Sequence, residues 1–165
     1  MKPDDAYLLK LGLAHYWFQY VEWAVIYALH SATGEDVSVL ATQTPRHLSN
    51  KLNDAWHSDP TLAMLASRYA ELVTNREHLA HSHPATYDHA GVSQQRLRRH
   101  DIKHRTRPPT QFWITPEWLD SFAAAARTLN RDLPPTTTPI VQRTLIRDNI
   151  DPQRLTAAPG LQSMP

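Results

Sequence analysis

A chain of 165 residues with a 41% hydrophobic share and five tryptophans can build one domain with a real core and carry a tail besides. Its formal charge of +1 gives no global argument for a nucleic-acid partner, so any such signal has to be local. The absence of cysteine excludes disulfides and thiolate metal sites and agrees with a reducing cytosol, while ten histidines direct attention to chemistry near neutral pH.

Residues 5 to 31 read as one long helix. Asp4 and Asp5 suit its start, where carboxylates cap free amides and meet the positive end of the dipole. At about 100° per residue, Gly12, His15, Gln19, Glu22 and His30 fall on one narrow stripe and the remainder is nearly all apolar. Such a helix has to be covered on several sides, as a central helix, a dimer seam or both. Its aromatic residues Tyr16, Trp17, Phe18, Tyr20, Trp23 and Tyr27 fit that structural use better than a cofactor box. The polar interruptions of this segment fit neither a membrane span nor a signal peptide, and the expectation is a soluble cytoplasmic protein with no membrane partner. Gly34 stands where helices commonly end.

A second helix starts at Thr44-Pro45 and a third at Asp59-Pro60, each pairing a capping side chain with proline at the first helical position. Leu48, Leu52 and Trp56 share a face of the second. In the third, Leu62, Leu65, Ala66, Tyr69, Leu72 and Val73 follow the three-four spacing until Pro84 bars its continuation. From 85 to 114 the helical period disappears, with Gln95 to Arg99 and Gln111 to Ile114 as short strands of a hairpin. Thr115-Pro116 opens the last helix, whose apolar face is Leu119, Phe122, Ala123, Ala126 and Leu129, and Pro134-Pro135 closes it. The expected fold is mainly α. It is an antiparallel helical bundle over 1–133 with a basic hairpin or irregular insert at 85–114, followed by a Pro/Thr-rich, partly disordered tail at 134–165.

The end of the third helix, Asn75-Arg76-Glu77-His78-Leu79-Ala80-His81-Ser82-His83-Pro84, holds the densest chemistry. Cleaving RNA without a metal needs a base for the 2′-hydroxyl, a cation for the crowded phosphate and an acid for the leaving oxygen. Histidine serves either proton role near its natural pKa, and arginine clamps phosphate through two N–H groups. Arg76 and His81 point about 140° apart on an ideal helix, so they converge only if the helix frays or a second copy faces the first. Glu77, four residues before His81, lies on its face and could orient it; His78 and Ser82 form a second such pair. The plainer reading, favoured on spacing alone, is a polar helix end that complements the dipole.

These residues resemble the Arg-x4-6-His signature of the HEPN superfamily, small helical proteins that include metal-independent endoribonucleases of toxin–antitoxin and phage-defence systems. The continuation through His83-Pro84-Ala85-Thr86 and on to Trp113-Ile114-Thr115-Pro116-Glu117-Trp118-Leu119 is similar to actinobacterial members of that group. Coverage runs from about Asp5 to Leu133. Glu77 stands where the family usually has Asn, Asp or His, and Asn75 precedes the arginine instead. The resemblance implies a bundle that dimerises so that two motifs form one cleft, with Arg76 and His81 as the catalytic pair and RNA as substrate. It also implies a supporting polar residue on the first helix, Glu22 or Gln19, and an antitoxin as a further partner. Asn75, Glu77 and His78 complete the expected site, which needs no cofactor or metal. The alternative is a non-catalytic helical module that binds RNA or a protein.

The basic run Arg96, Arg98, Arg99, Lys103, Arg105 and Arg107, set against Asp101 alone, is either an RNA-backbone contact with Phe112 or Trp113 available for stacking, or a solvated loop. A minor reading assigns His78, His81 and His83, with His89 and Asp88 nearby, to a zinc or nickel site. His100 and His104 are also one turn apart, but inside the basic loop.

Overall fold

The computed structural model describes residues 2–101 and 110–135, which fall within a unit spanning Met1–Pro135. Lys103, Arg105, Arg107, His104 and the tail from 136 onward lie outside the described residues. Among the described residues, five helices and three strands run in the order α1 (Asp5–Thr33), α2 (Val37–Leu40), α3 (Pro45–Trp56), α4 (Pro60–Ala80), β1 (His83–His89), β2 (Val92–Asp101), β3 (Thr110–Ile114) and α5 (Pro116–Asp132). The protein is mainly helical with a small sheet, and among the described residues no helix is long and apolar enough to cross a membrane.

The helix starts follow from their caps. Asp4 accepts the Tyr7 amide at 2.8 Å, Thr44 the His47 amide at 3.3 Å, Asp59 those of Thr61 and Leu62 at 2.8 and 3.1 Å, and Thr115 the Trp118 amide at 3.2 Å. Each satisfies an amide that the first helical turn leaves without an intrahelical partner. Gly34 ends α1 at φ +74°, a left-handed conformation open to glycine at little cost, and its N–H closes onto the His30 carbonyl. The single turn α2, capped by Asp36, is too short to show in the helical periodicity.

Helix α1 packs against α5 and α3, and α4 packs against α3 and α5, so α1 and α4 are the diagonal pair of a four-helix arrangement. Bidentate Arg46–Glu77 contacts join the start of α3 to the end of α4, and Arg68–Asp132 joins α4 to the end of α5, as expected of antiparallel neighbours. The α1/α5 pair is different. Lys10 meets Asp120, and Arg127 lies 5.2 Å over the Trp17 ring, so these two helices run in the same direction. The β1–β3 excursion is what returns the chain to the start of α1 before α5 begins.

The sheet is antiparallel in the order β1-β2-β3, with His83 opposite Arg98, His89 opposite Val92, Leu97 opposite Ile114 and Arg98 opposite Trp113. The hairpin expected from 95–99 and 111–114 is present as β2 and β3, and β1 is an additional strand. Leu97, Phe112 and Ile114 face the core, joining Phe18, Val21, Val25, Leu29, Leu48, Leu52, Tyr69 and Leu129. Tyr7 fastens this face to the bundle. Its ring is 2% exposed, its hydroxyl donates to the Ile114 carbonyl at 2.9 Å and accepts the Leu97 amide at 3.1 Å, and burial pushes its pKa up.

Candidate functional site

Arg76 belongs to the buried face of α4. Tyr69, Leu72 and Val73 are buried there, and Arg76 follows at the same three-four spacing, so its side chain is carried inward toward the diagonal helix α1. Its guanidinium carbon lies 6.0 Å from the centroid of the Phe18 ring. Glu22, one turn beyond Phe18, is half-buried; burial raises its pKa and the Arg76 charge works against that rise. The fully buried Tyr69 is in the same neighbourhood, its pKa raised by burial and by the charge of Glu22. Its hydroxyl has no hydrogen-bond partner among the described atoms. A cation, a carboxyl and a phenol thus share an apolar setting between α1 and α4, where weak screening strengthens their mutual interaction.

The other half of the motif sits at the helix end. Helix α4 persists through Ala80, and His81 is its cap, at φ −105° and ψ 12°, with its N–H donating to the Glu77 carbonyl at 3.1 Å. The side chain is exposed. Within one chain, therefore, Arg76 turns toward α1 while His81 stands in solvent where the helix stops. Glu22 is the residue of the α1 stripe that feels the charge of Arg76. Gln19 is exposed and lies 3.1 Å from His15 across one helical turn.

The remaining motif residues have other neighbours. Arg46 grips the Glu77 carboxylate from α3, with Nε and Nη2 at 3.1 and 3.0 Å from Oε1. Asn75 lines a groove between α4 and α5 with Arg68, Glu71 and Ala125. The His78 ring lies 4.8 Å from that of Phe112, and its Nδ1 is 3.2 Å from the Arg99 guanidinium. A guanidinium only donates, so Nδ1 accepts and the neutral ring carries its proton on Nε2. Ser82 pairs with the backbone carbonyl of His78 rather than with its ring.

The basic run is not one surface. Arg96 is 5% exposed; it pairs with Asp4 at 2.8 Å, donates to the Gln95 carbonyl and to Gln94, and lies 4.5 Å over the Tyr7 ring. That guanidinium anchors β2 to the start of α1 and is not available to a phosphate on the surface. The Asp4 carboxyl is held below its usual range by the Tyr7 amide and then by Arg96. Arg99 faces His78, and Arg98 lies 5.3 Å over Trp113. Among the described residues, no three His, Asp or Glu side chains are grouped as metal ligands, so His78, His81, His83, Asp88 and His89 do not form the set that spacing allowed.

Two participants carry no functional signal of their own in the sequence. Tyr69 is seven residues before Arg76, two turns on one face, and that spacing alone indicates that it shares a neighbourhood with the arginine. Phe18 is four residues before Glu22 and reads equally well as core. No protein-family model matches the chain, and neither the curated proteins nor the solved structures gave a match.

Proposed function

We propose that this protein is a metal-independent endoribonuclease of the toxin or phage-defence type, working as a homodimer in which two copies of the motif share one cleft. The observation that carries the reading is the inward placement of Arg76, over the Phe18 ring and within electrostatic reach of Glu22 and Tyr69. A half-buried guanidinium that lies over the Phe18 ring and feels the charge of Glu22 without an ion pair to it keeps its N–H groups for a phosphate. His81, exposed at the helix end, is of the residue type suited to move protons near neutral pH.

In the reaction, one imidazole takes the proton of a ribose 2′-hydroxyl and that oxygen attacks the adjacent phosphorus. Arg76 stabilises the charge gathering on the phosphoryl oxygens. The bond to the 5′-oxygen breaks, and a protonated imidazole supplies the proton to the leaving group, giving a 2′,3′-cyclic phosphate and a free 5′-hydroxyl. Two histidines are needed in two protonation states, which a pair of facing motifs provides.

The outer side of α1 supports association. Leu9, Leu13, Tyr16, Tyr20 and Trp23 recur at four- and three-residue intervals and are each 45–65% exposed, an exposed apolar stripe of the kind found at interaction surfaces. The same stripe favours a second reading, a helical module that binds a partner protein, such as an antitoxin, without cutting RNA. Incubating the protein with mixed RNA in excess EDTA separates the two. Cutting that disappears in Arg76→Ala and His81→Ala, with circular dichroism unchanged, supports the ribonuclease; an intact substrate after prolonged incubation rules it out.

A further inference from the structure

On the outer face of the sheet the start of α1 engages Arg96, and the motif makes no use of the rest. Side chains alternate along a strand, so the register that turns Leu97, Phe112 and Ile114 to the core turns Tyr87 and His89 of β1, Arg98 of β2 and Trp113 of β3 to the other side. These four form a continuous group. The Tyr87 ring lies 4.9 Å from Trp113 and 5.8 Å from His89, parallel to the latter within 5°. The Arg98 guanidinium lies 5.3 Å over Trp113, and its Nε has no hydrogen-bond partner among the described atoms. Tyr87, Trp113 and Arg98 are half-buried and His89 is exposed.

The chemistry of this face is selective. Its strands place no carboxylate there: Asp88 alternates to the opposite side, where the Ser93 hydroxyl bonds it, and Asp4, reaching in from α1, is matched by Arg96. Arg98 therefore remains as net positive charge beside two aromatic rings. Ala85 and Val92 are the aliphatic residues that the register adds to this face, too little apolar area to seat a docked protein surface. An unpaired nucleotide, in contrast, offers a base face to stack on a ring and a phosphate to meet a guanidinium. A duplex hides its base faces and loses the first of these contacts.

We infer that the outer sheet face binds single-stranded nucleic acid, stacking bases on Tyr87 and Trp113 and holding backbone phosphate with Arg98. This rests on the reading of RNA as the ligand. Strand β1 begins at His83, two residues after His81, so a strand laid on this face leads to the proposed cleavage residue.

The test is equilibrium binding of a fluorescent, 2′-O-methyl oligoribonucleotide, which has no 2′-hydroxyl to attack, in single-stranded and duplex forms. The single strand is expected to bind more tightly than the duplex. Trp113→Ala and Tyr87→Ala are each expected to weaken it about tenfold, Tyr87→Phe to keep the affinity, and Arg98→Gln to lower both the affinity and its salt dependence. Thermal melting of each variant checks the fold, with Tyr87→Phe as the conservative partner should Tyr87→Ala melt early. Equal affinity for duplex, unchanged affinity in the alanine variants, or no binding of either form overturns the inference. Cleavage of ordinary RNA by the same preparations separates the two ideas. Cutting with an unchanged KM in Trp113→Ala leaves the ribonuclease and removes the platform, whereas tight single-strand binding without cutting does the reverse.

Discussion

Replacing Tyr7 with Phe tests how the sheet is held. The ring is almost fully buried and would remain, so packing and its contact with the Arg96 guanidinium are preserved. What goes is one oxygen that both donates to the Ile114 carbonyl and accepts the Leu97 amide. Two backbone groups at the junction of β2 and β3 lose their partner together, and an unsatisfied buried group costs roughly 1–3 kcal/mol. The expected loss is about 2–3 kcal/mol, or roughly 10 °C in Tm for a domain of this size. Thermal denaturation followed by circular dichroism gives the global number, and hydrogen exchange at the Leu97 amide localises it. A Tm within about 1 °C of wild type, together with unchanged protection at Leu97, would refute the account of Tyr7 as the link between α1 and the sheet.

The acid limb of stability should depend on Asp4. Its carboxyl is held below the unfolded value of 3.8 by the Tyr7 amide and by Arg96, so its contribution is present above that value and fades as pH falls through the folded pKa; Asp4→Asn should flatten this decline in urea titrations at a series of acid pH values. Glu22 has the opposite sign. Burial lifts its pKa above 4.5, so the fold loses stability as pH rises from 4.5 through the raised value, and Glu22→Gln should remove that fall when melts are compared on either side of it. Gly34→Ala meets no atom within 4 Å but keeps φ at +74°, so the cost is conformational alone, about 1 kcal/mol by denaturant midpoint. Tyr20→Lys with Trp23→Glu should bring the mass in light scattering down to the single-chain value of 18.8 kDa from twice that; a wild type already at 18.8 kDa at high concentration would remove the homodimer.

The parts of the fold that are legible in the sequence are those fixed locally. Asp4, Thr44-Pro45, Asp59-Pro60 and Thr115-Pro116 start helices because a cap and a preset φ act within four residues, and Gly34 ends one for the same reason. Strand β1 is hidden because its alternation is weak: Pro84, Thr86 and Asp88 on one face and His83, Ala85, Tyr87 and His89 on the other each mix polar with apolar residues. Its pairing with β2 defines it, and pairing is not a local property. Arg96 reads as one cation in a basic run; its burial depends on Asp4 and Tyr7, about ninety residues away in sequence. The site divides in the same way. The resemblance points to Glu22 or Gln19 on the first helix as support for Arg76, and only the fold separates them, just as the capture of Glu77 by Arg46 depends on how α3 lies against α4.

The most direct test of the central claim is the chemistry of the cut ends. Products of RNA digestion in excess EDTA would be analysed by mass spectrometry for their termini. Attack by the neighbouring 2′-hydroxyl, with Arg76 on the phosphate and His81 moving the protons, predicts 2′,3′-cyclic phosphate on one fragment and 5′-hydroxyl on the other, both absent from the His81→Ala digest. Termini bearing 3′-hydroxyl and 5′-phosphate, or uncut RNA, would contradict it.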